Sequence, residues 1–140
     1  MYIGYMNGRY IIFADDDADD LELVTGLFKQ YNREINVLEF KDGKEVLKFL
    51  DDFALNASLP LLIVLDINMP RINGLEALVA IRSQPRYRHI PVVIYTTSSN
   101  PSDKEFCDKF GACWVSKSHT IEGVRQTARV LAEFCKLQNH

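Results

Sequence analysis

Two short runs of apolar residues along the chain are each followed directly by carboxylates. The first run, Tyr10–Ala14, ends at three consecutive aspartates, and the second, residues 61–65, ends at Asp66. A short unbroken run of this kind is typical of a strand that is buried on both faces. Because a carboxylate is costly to bury within such a strand, we expect Asp66 at the strand's carboxyl end. The proline and the Asn-Gly pair between residues 67 and 74 indicate a loop before the next helix.

Three further segments, residues 35–40, 91–96 and 112–116, are short and largely apolar and predict three more strands. Apolar residues recur at helical spacing between the strands, so the chain also predicts five helices. Their markers are, in chain order, Leu21, Val24, Leu27, Phe28 and Tyr31; Val46, Leu47, Leu50 and Phe53; Leu75, Leu78 and Ile81; a helix from about 101 to 110 that stops at Gly111; and Ile121, Val124, Ala128, Leu131 and Cys135 after a Thr120 cap.

Five strands that alternate with five helices predict an α/β fold, a doubly wound five-stranded parallel sheet covered by helices on both faces. Each connection between parallel strands is expected to be right-handed. The sequence contains no internal repeat, low-complexity segment or linker. The 140 residues therefore suit one domain, with no room for an output domain beside it.

Composition narrows the class of protein. The hydrophobic fraction of 47% and the charged fraction of 25% are ordinary for a globular domain with a sizeable core. A net charge of −3 gives no reason to expect binding to nucleic acid or to an anionic membrane. No apolar run approaches the roughly 20 residues that a membrane-spanning helix needs. Residues 1–9 lack the features of a signal peptide.

The three cysteines, Cys107, Cys113 and Cys135, are odd in number and lack the spacing of a zinc site or a disulfide framework. We expect reduced, mostly buried thiols and a cytoplasmic protein.

Polar groups that suit phosphate and metal follow four of the predicted strands. Because the carboxyl ends of parallel strands lie at one edge of the sheet, where ligands bind in such folds, these groups are expected to meet there. The other aspartates of the acidic run, and a single lysine taken alone, have ordinary structural interpretations. Asp17 suits a helix N-cap, Asp19 and Asp20 favour the positive end of the helix dipole, and a lone lysine after a strand is usually a surface residue. The groups are Asp15 and Asp16, Asp66, Thr96 and Lys117.

Asp15 and Asp16, if they face Asp66, form a cluster of carboxylates that repel one another. A hard divalent cation such as Mg²⁺ removes this conflict, because it binds carboxylate, water and phosphate oxygens. The acidic run does not fit a calcium-binding EF-hand loop, in which glycine is needed where Asp20 stands and glutamate where Gly26 stands. Lys117 is suited to pair with a phosphoryl oxygen, and Thr96 to donate a hydrogen bond to it.

The stretches IIFADDD, LLIVLDINMPRINGLEAL, IPVVIYTTSS and GACWVSK resemble the receiver domain of two-component response regulators. The resemblance covers about residues 9–137 and leaves residues 1–8 as an N-terminal lead-in. It implies a flavodoxin-like sheet with strand order 2-1-3-4-5. The site roles that the resemblance implies are Asp66 as phosphoacceptor; Asp15, Asp16, Asp66 and the backbone carbonyl of Asn68 as Mg²⁺ ligands; Lys117 as the partner of the phosphoryl group; Thr96 as the switch hydroxyl; and Trp114 as the switch aromatic.

By the same resemblance, the chain accepts a phosphoryl group from a sensor histidine kinase or a phosphotransfer protein and catalyses only its own phosphorylation and dephosphorylation. Movement of Thr96 and Trp114 would then alter a surface formed by the fourth helix, the fifth strand and the fifth helix, to which a downstream protein binds. The acidic run and the lack of an output domain are similar to stand-alone regulators that work with phytochrome-type kinases.

One residue departs from the family pattern. Receiver domains usually have proline directly after the lysine, often in a cis peptide, whereas this chain has Ser118. A cis bond before a non-proline residue costs about 3 kcal/mol. We therefore expect either a trans Lys117–Ser118 bond with a shifted loop or a strained cis bond.

Two other functions fit part of the pattern. The run Asp15-Asp16-Asp17 is similar to the nucleophile motif of haloacid-dehalogenase-type phosphatases, with Asp15 as nucleophile, although Asp19 stands where that motif has threonine or valine. The chain is also short for that fold. A receiver-like interaction module that works without phosphorylation is the other alternative, which Ser118 supports.

Overall fold

The computed structural model describes residues 8–52 and 58–137. Five strands alternate with five helices over the described residues, as the sequence predicts. Their bounds are β1 Tyr10–Ala14, α1 Ala18–Tyr31, β2 Asn36–Phe40, α2 Gly43–Asp52, β3 Ile63–Leu65, α3 Gly74–Ser83, β4 Val92–Thr96, α4 Pro101–Lys109, β5 Cys113–Ser116 and α5 Ile121–Leu137.

The strands form one parallel sheet in the order β2-β1-β3-β4-β5, which confirms the flavodoxin-like topology. Ala14, the last residue of β1, is the register partner of Leu65, the last residue of β3. Leu65 in turn pairs with Ile94 in β4. The residues that follow β1 and β3 therefore start from the same level at one edge of the sheet.

The sheet is buried on both faces, as the unbroken apolar runs predict. Every residue of β1, β3 and β4 is buried. Helices α2, α3 and α4 pack on one face through residues such as Phe49, Leu78 and Cys107. Helices α1 and α5 pack on the other face through residues such as Phe28 and Leu131. Alternation along each strand thus divides the apolar residues between two cores.

The predicted helix ends are confirmed. The Asp17 carboxylate accepts hydrogen bonds from the Asp19 and Asp20 N–H groups and caps α1. The Thr120 hydroxyl oxygen accepts from the Gly123 N–H at 3.0 Å at the start of α5. Gly111, with φ of 68°, follows the end of α4 in the left-handed conformation that favours glycine.

For two residues, the prediction that they lie on a buried helix face is wrong. Tyr31 is 54% exposed and Ile121 is 52% exposed. They are the last residue of α1 and the first of α5, and each lies where its helix passes the border of the core. Phe53 and residues 1–7 lie outside the described residues. Cys107 and Cys135 are buried free thiols, whereas Cys113 is exposed.

Within the described part of the chain, no helix has both the length and the apolar character needed to cross a membrane.

Gly74 allows α3 to begin directly against the end of β3. A Cβ atom at this position would clash with the backbone carbonyl of Asp66. We predict that Gly74→Ala lowers the free energy of unfolding by about 2 kcal/mol or more, because main-chain atoms next to the site must shift. Urea unfolding measures this loss.

Gly26→Ala provides the matched control. A Cβ atom at Gly26 would have nothing within 4 Å, and the residue lies on the exposed side of α1. The replacement should stabilise the protein by roughly 0.5–1 kcal/mol because alanine favours a helix. Equal unfolding free energies for the two variants would contradict the close approach at Gly74.

Candidate functional site

Three of the predicted site residues, Asp15, Asp66 and Lys117, come directly after strands β1, β3 and β5. Their main chains lengthen these strands by one residue, so all three lie at one edge of the sheet. The Asp66 N–H donates to the Ala14 carbonyl oxygen at 3.0 Å, and the Lys117 N–H donates to the Thr96 carbonyl oxygen at 2.9 Å. Asp15 follows Ala14 directly. These bonds fix the positions from which the side chains of Asp15, Asp66 and Lys117 converge.

Lys117 joins three carboxylates at this edge. Its ammonium nitrogen lies 2.8 Å from Asp15 Oδ2, 2.9 Å from Asp20 Oδ2 and 3.3 Å from Asp66 Oδ2. It also lies 5.6 Å from the centre of the Tyr95 ring. The lysine side chain is only 7% exposed, so water screens its interactions with the buried Asp15 and Asp66 little, whereas Asp20 is 40% exposed. An ammonium group has three N–H donors, which these three acceptors match in number.

The structure adds Asp20 to the site, a role that the sequence analysis missed. Its position in the first turn of α1 was explained by the helix dipole alone. Side chains in a helix tilt towards its N-terminus, so a carboxylate in the first turn can reach back over the sheet edge. The direction of the Asp20 side chain, together with the predicted position of Lys117 at the same edge, could have predicted the ion pair between them.

Asp15 is the most buried carboxylate of the site, with a fully buried side chain. Its Oδ1 accepts from the Asp17 N–H at 2.9 Å. Its Oδ2 contacts the Lys117 ammonium but, among the described residues, has no hydrogen bond of good geometry. Burial raises the pKa of Asp15 to about 6, with a further increase from Asp66, and Lys117 and the Asp17 N–H only partly offset this.

The opposite balance holds for the lysine. Burial alone would lower the pKa of Lys117, but Asp15, Asp20 and Asp66 outweigh it and raise that pKa above its ordinary value. Lys117 therefore stays protonated and keeps a positive charge at this edge of the sheet.

Carboxylate oxygens of Asp15, Asp16 and Asp66 lie within 4.8 Å of one another and fit a divalent cation. The set is made of oxygen donors, which Mg²⁺ and similar hard cations prefer. The buried Oδ2 of Asp15, which lacks a good hydrogen bond, is an acceptor that such an ion would satisfy. Asp16 is exposed, so the cluster opens to solvent on that side. Asn68 is an exposed residue between the buried Ile67 and Met69 in the loop after Asp66, and its carbonyl remains a predicted ligand.

Thr96 ends β4 as a fully buried residue. Its hydroxyl oxygen accepts from the Ser98 N–H at 3.2 Å, in the loop that leads to α4. Because side chains alternate along a strand, Thr96 faces the same side of the sheet as Ile94. Ile94 is the register partner of Trp114 in β5. Thr96 and Trp114 are thus placed on one side of neighbouring strands.

Trp114 is partly buried and packs against the core on the α2, α3 and α4 face. It also borders a cavity of about 350 Å³ beside the β4–α4 loop. The cavity leaves room next to the indole ring in which the side chain can change position. Its lining residues are Thr97, Ser98, Ser99, Asn100, Pro101, Lys104, Trp114 and Ser116.

The loop after Lys117 has a trans Lys117–Ser118 bond, since the described residues contain no cis peptide. The Ser118 hydroxyl oxygen accepts from the Thr120 N–H at 3.2 Å and also lies 3.1 Å from the Thr120 hydroxyl. Lys117 still reaches all three carboxylates. The absence of proline after Lys117 therefore does not turn the lysine away from the site.

Comparisons with known proteins agree with this geometry. Residues 11–128 match the family model of the response regulator receiver domain. The chain is 28% identical over 129 residues to the response regulator Rcp1 of a Synechocystis species. The match covers 90% of this chain and 88% of Rcp1. Its fold matches the crystal structure of the phosphorylated cyanobacterial phytochrome response regulator RcpA with a TM-score of 0.82 and 30% identity, over 91% of this chain and 93% of that one.

The Mn²⁺-bound structure of Rcp1 is also similar, with a TM-score of 0.81 and 28% identity over 90% of this chain and 93% of that one. The family match covers most of the chain, and the sheet order, the acidic cluster and the lysine all agree with it. The chain therefore belongs to the response regulator receiver domain family.

Proposed function

We propose that Asp66 accepts a phosphoryl group from the phosphohistidine of a sensor histidine kinase or a phosphotransfer protein. The observation that carries the proposal is the convergence of Asp66, the Lys117 ammonium and two further carboxylates at one edge of the sheet. Asp66 lies at the end of the central strand, and its side chain is 8% exposed. It is thus accessible from the edge yet shielded from bulk water.

The transfer is an in-line substitution at phosphorus. An oxygen of the Asp66 carboxylate attacks the phosphorus atom, and the bond between phosphorus and the histidine nitrogen breaks as the new bond forms. The electron pair of the broken bond stays on the imidazole nitrogen. Little covalent work is asked of the protein, so positioning and charge stabilisation supply most of the rate.

Lys117 neutralises charge on the incoming group because its ammonium already lies 3.3 Å from Asp66 Oδ2. Receiver domains bind a divalent metal, and we infer that Mg²⁺ is the ion in this chain, held by Asp15, Asp16, Asp66 and the Asn68 carbonyl. When bound, the ion supplies positive charge to the phosphoryl oxygens. Asp15 and Asp16 would hold it beside the acceptor, and Asp20 pairs with Lys117 at 2.9 Å and keeps the lysine within reach of the site.

The readout follows from Thr96 and Trp114. The Thr96 hydroxyl oxygen accepts from the Ser98 N–H. A phosphoryl oxygen on Asp66 is a charged acceptor to which the same hydroxyl can donate, so Thr96 turns towards it. Trp114 then moves into the space that Thr96 has vacated on the same side of the sheet. The surface of α4, β5 and α5 changes between two states, and a downstream protein binds one of them.

The kinase, the downstream partner and the place of action are part of the proposal. The relatives include histidine kinases that match this chain, such as a Vibrio cholerae sensor kinase, which supports a kinase as phosphodonor. The similarity to the structure of RcpA, a cyanobacterial phytochrome response regulator, supports a phytochrome-type kinase within that class. We infer that the chain works in the cytoplasm without nucleic acid or membrane as a partner, in keeping with its free thiols and its net charge of −3.

Phosphorylation by a small donor tests the proposal. We predict that phosphoramidate, which has a phosphorus–nitrogen bond, adds one phosphoryl group to the protein, and that Mg²⁺ is required. Intact-mass spectrometry measures the gain. Borohydride, which reduces an acyl phosphate to an alcohol, then marks the residue for peptide mapping. Asp66 should carry the mark, Asp66→Asn should gain no phosphoryl group, and the exposed Asp19→Asn should react as the wild type does.

The same experiment separates the alternatives. Phosphate mapped to Asp15 would favour a haloacid-dehalogenase-type phosphatase, although the Asp15 side chain is fully buried and one of its oxygens accepts from the Asp17 N–H. No mass gain in the wild type, with or without Mg²⁺, would favour an interaction module that works without phosphorylation.

Trp114, the only tryptophan, tests the switch. We predict that phosphorylation changes its fluorescence and that Thr96→Ala removes most of that change while phosphoryl uptake persists, because alanine has no hydroxyl to follow the phosphoryl oxygen. Thr96→Ser keeps the hydroxyl and should keep the response. If phosphorylated Thr96→Ala shows a fluorescence change as large as that of the wild type, Thr96 has no part in the switch.

A further inference from the structure

The loop between β3 and α3, residues 66–73, starts at the phosphoacceptor and contains the predicted metal ligand Asn68. Internal hydrogen bonds shape it: the Met69 N–H donates to Ile67 O at 3.1 Å, and the Ile72 N–H donates to Pro70 O at 2.8 Å. These bonds are local and shape short turns. The buried side chains of Ile67 and Met69 place the first half of the loop against the core, so the second half depends on other contacts.

Arg71 has an unusual backbone conformation in the middle of this loop. Its φ is 65°, and it is the one residue other than glycine with a positive φ among the described residues. Such a conformation is unfavourable for a residue with a Cβ atom and persists only where surrounding contacts determine it. A contact of the Arg71 side chain is therefore expected to stabilise the conformation.

That contact is an ion pair with Asp42, directly before α2. Arg71 Nε lies 2.9 Å from Asp42 Oδ2. The Asp42 side chain is only 8% exposed, and its other oxygen accepts from the Glu45 N–H at 2.9 Å. Burial alone would raise the pKa of Asp42, but the Arg71 guanidinium and the Glu45 N–H outweigh it and hold that pKa below its usual value. Both carboxylate oxygens are thus satisfied, one of them by the loop.

The backbone makes a second contact at the same point. The Gly43 N–H donates to Ile72 O at 2.9 Å. A Cβ atom on Gly43 would lie 2.5 Å from that oxygen, so no larger residue fits without a shift. Two adjacent residues, Asp42 and Gly43, therefore hold two adjacent residues of the loop.

We propose that the Asp42–Arg71 pair positions the β3–α3 loop for metal binding, so that Asp42 and Arg71 are positioning residues for a cation that neither of them touches. The inference rests on the proposed metal site and extends it to residues outside the acidic cluster. It explains why an arginine in an unfavourable conformation stands five residues after the phosphoacceptor.

Charge alone predicts a different result, which makes the proposal testable. If the two residues acted only through their long-range fields, removing the positive Arg71 would strengthen cation binding, and removing the negative Asp42 would weaken it. A positioning role predicts weaker binding in both cases. Arg71→Gly is therefore the decisive variant, because glycine also removes the strain of the positive φ.

The experiment is a titration of the protein with Mn²⁺, followed by the electron paramagnetic resonance signal of the free ion. We expect Arg71→Gly to bind Mn²⁺ about tenfold more weakly than the wild type, in the range that loss of a supporting contact causes at metal sites. Its urea midpoint should stay equal to or above that of the wild type, because the strain is relieved. A residue that only stabilises the fold would move both quantities together.

Asp42→Asn is expected to bind Mn²⁺ about tenfold more weakly too, while its amide oxygen keeps the hydrogen bond to the Glu45 N–H. The double variant should bind no more weakly than the weaker single variant, because both changes break one contact. Arg33→Gly is the matched control: it removes an exposed loop arginine after α1, at the opposite edge of the sheet, and should bind as the wild type does.

Two results would overturn the inference and are distinguishable. Unchanged or tighter Mn²⁺ binding by Arg71→Gly, with normal binding by the wild type, would reject the positioning role and leave the metal site intact. No Mn²⁺ binding by the wild type would reject the metal site of the proposed function and, with it, this role of the pair.

Discussion

The sharing of one buried ammonium group among several carboxylates is the interaction on which the site depends. Asp15, Asp20 and Asp66 all lie within 3.3 Å of Lys117 Nζ, and Asp16 adds a fourth negative group nearby. One positive charge cannot balance four carboxylates, and burial raises the pKa of Asp15 to about 6. The remaining negative charge is what a divalent cation would neutralise, and under the proposed function a phosphoryl group would then have two positive partners, the cation and Lys117.

Around this centre, each neighbouring element contributes one constraint. The sheet register fixes where Asp15, Asp66 and Lys117 leave the main chain. The close approach at Gly74 brings α3 against the end of β3, and the Asp42–Arg71 pair holds the loop between them. Thr96 ends the neighbouring strand and Trp114 lies on the next one, so the proposed switch needs only these adjacent strands between Asp66 and Trp114.

The features that the sequence predicted are those that depend on local pattern. Unbroken apolar runs followed by Asp15, Asp66, Thr96 and Lys117 define strands and their ends, and a parallel sheet places those ends at one edge. The strand order that makes them neighbours came from the family resemblance and not from the pattern. The pairing of Asp20 with Lys117 and of Asp42 with Arg71 depends on side-chain direction and loop shape across 97 and 29 residues of separation, which no periodicity encodes. Tyr31 and Ile121 continue the apolar spacing beyond the point where the core ends.

The most direct test of the charge balance is the free energy of unfolding as a function of Mg²⁺ concentration. A site that binds the ion in the folded state alone gains about 2.7 kcal/mol at a Mg²⁺ concentration 100 times the dissociation constant. We predict such a rise for the wild type and for Asp19→Asn, and little or none for Asp16→Asn, which replaces a predicted carboxylate ligand with a neutral amide but keeps every contact of Lys117. Unfolding free energies of the wild type that do not respond to Mg²⁺, or an equal rise in Asp16→Asn, would contradict the account.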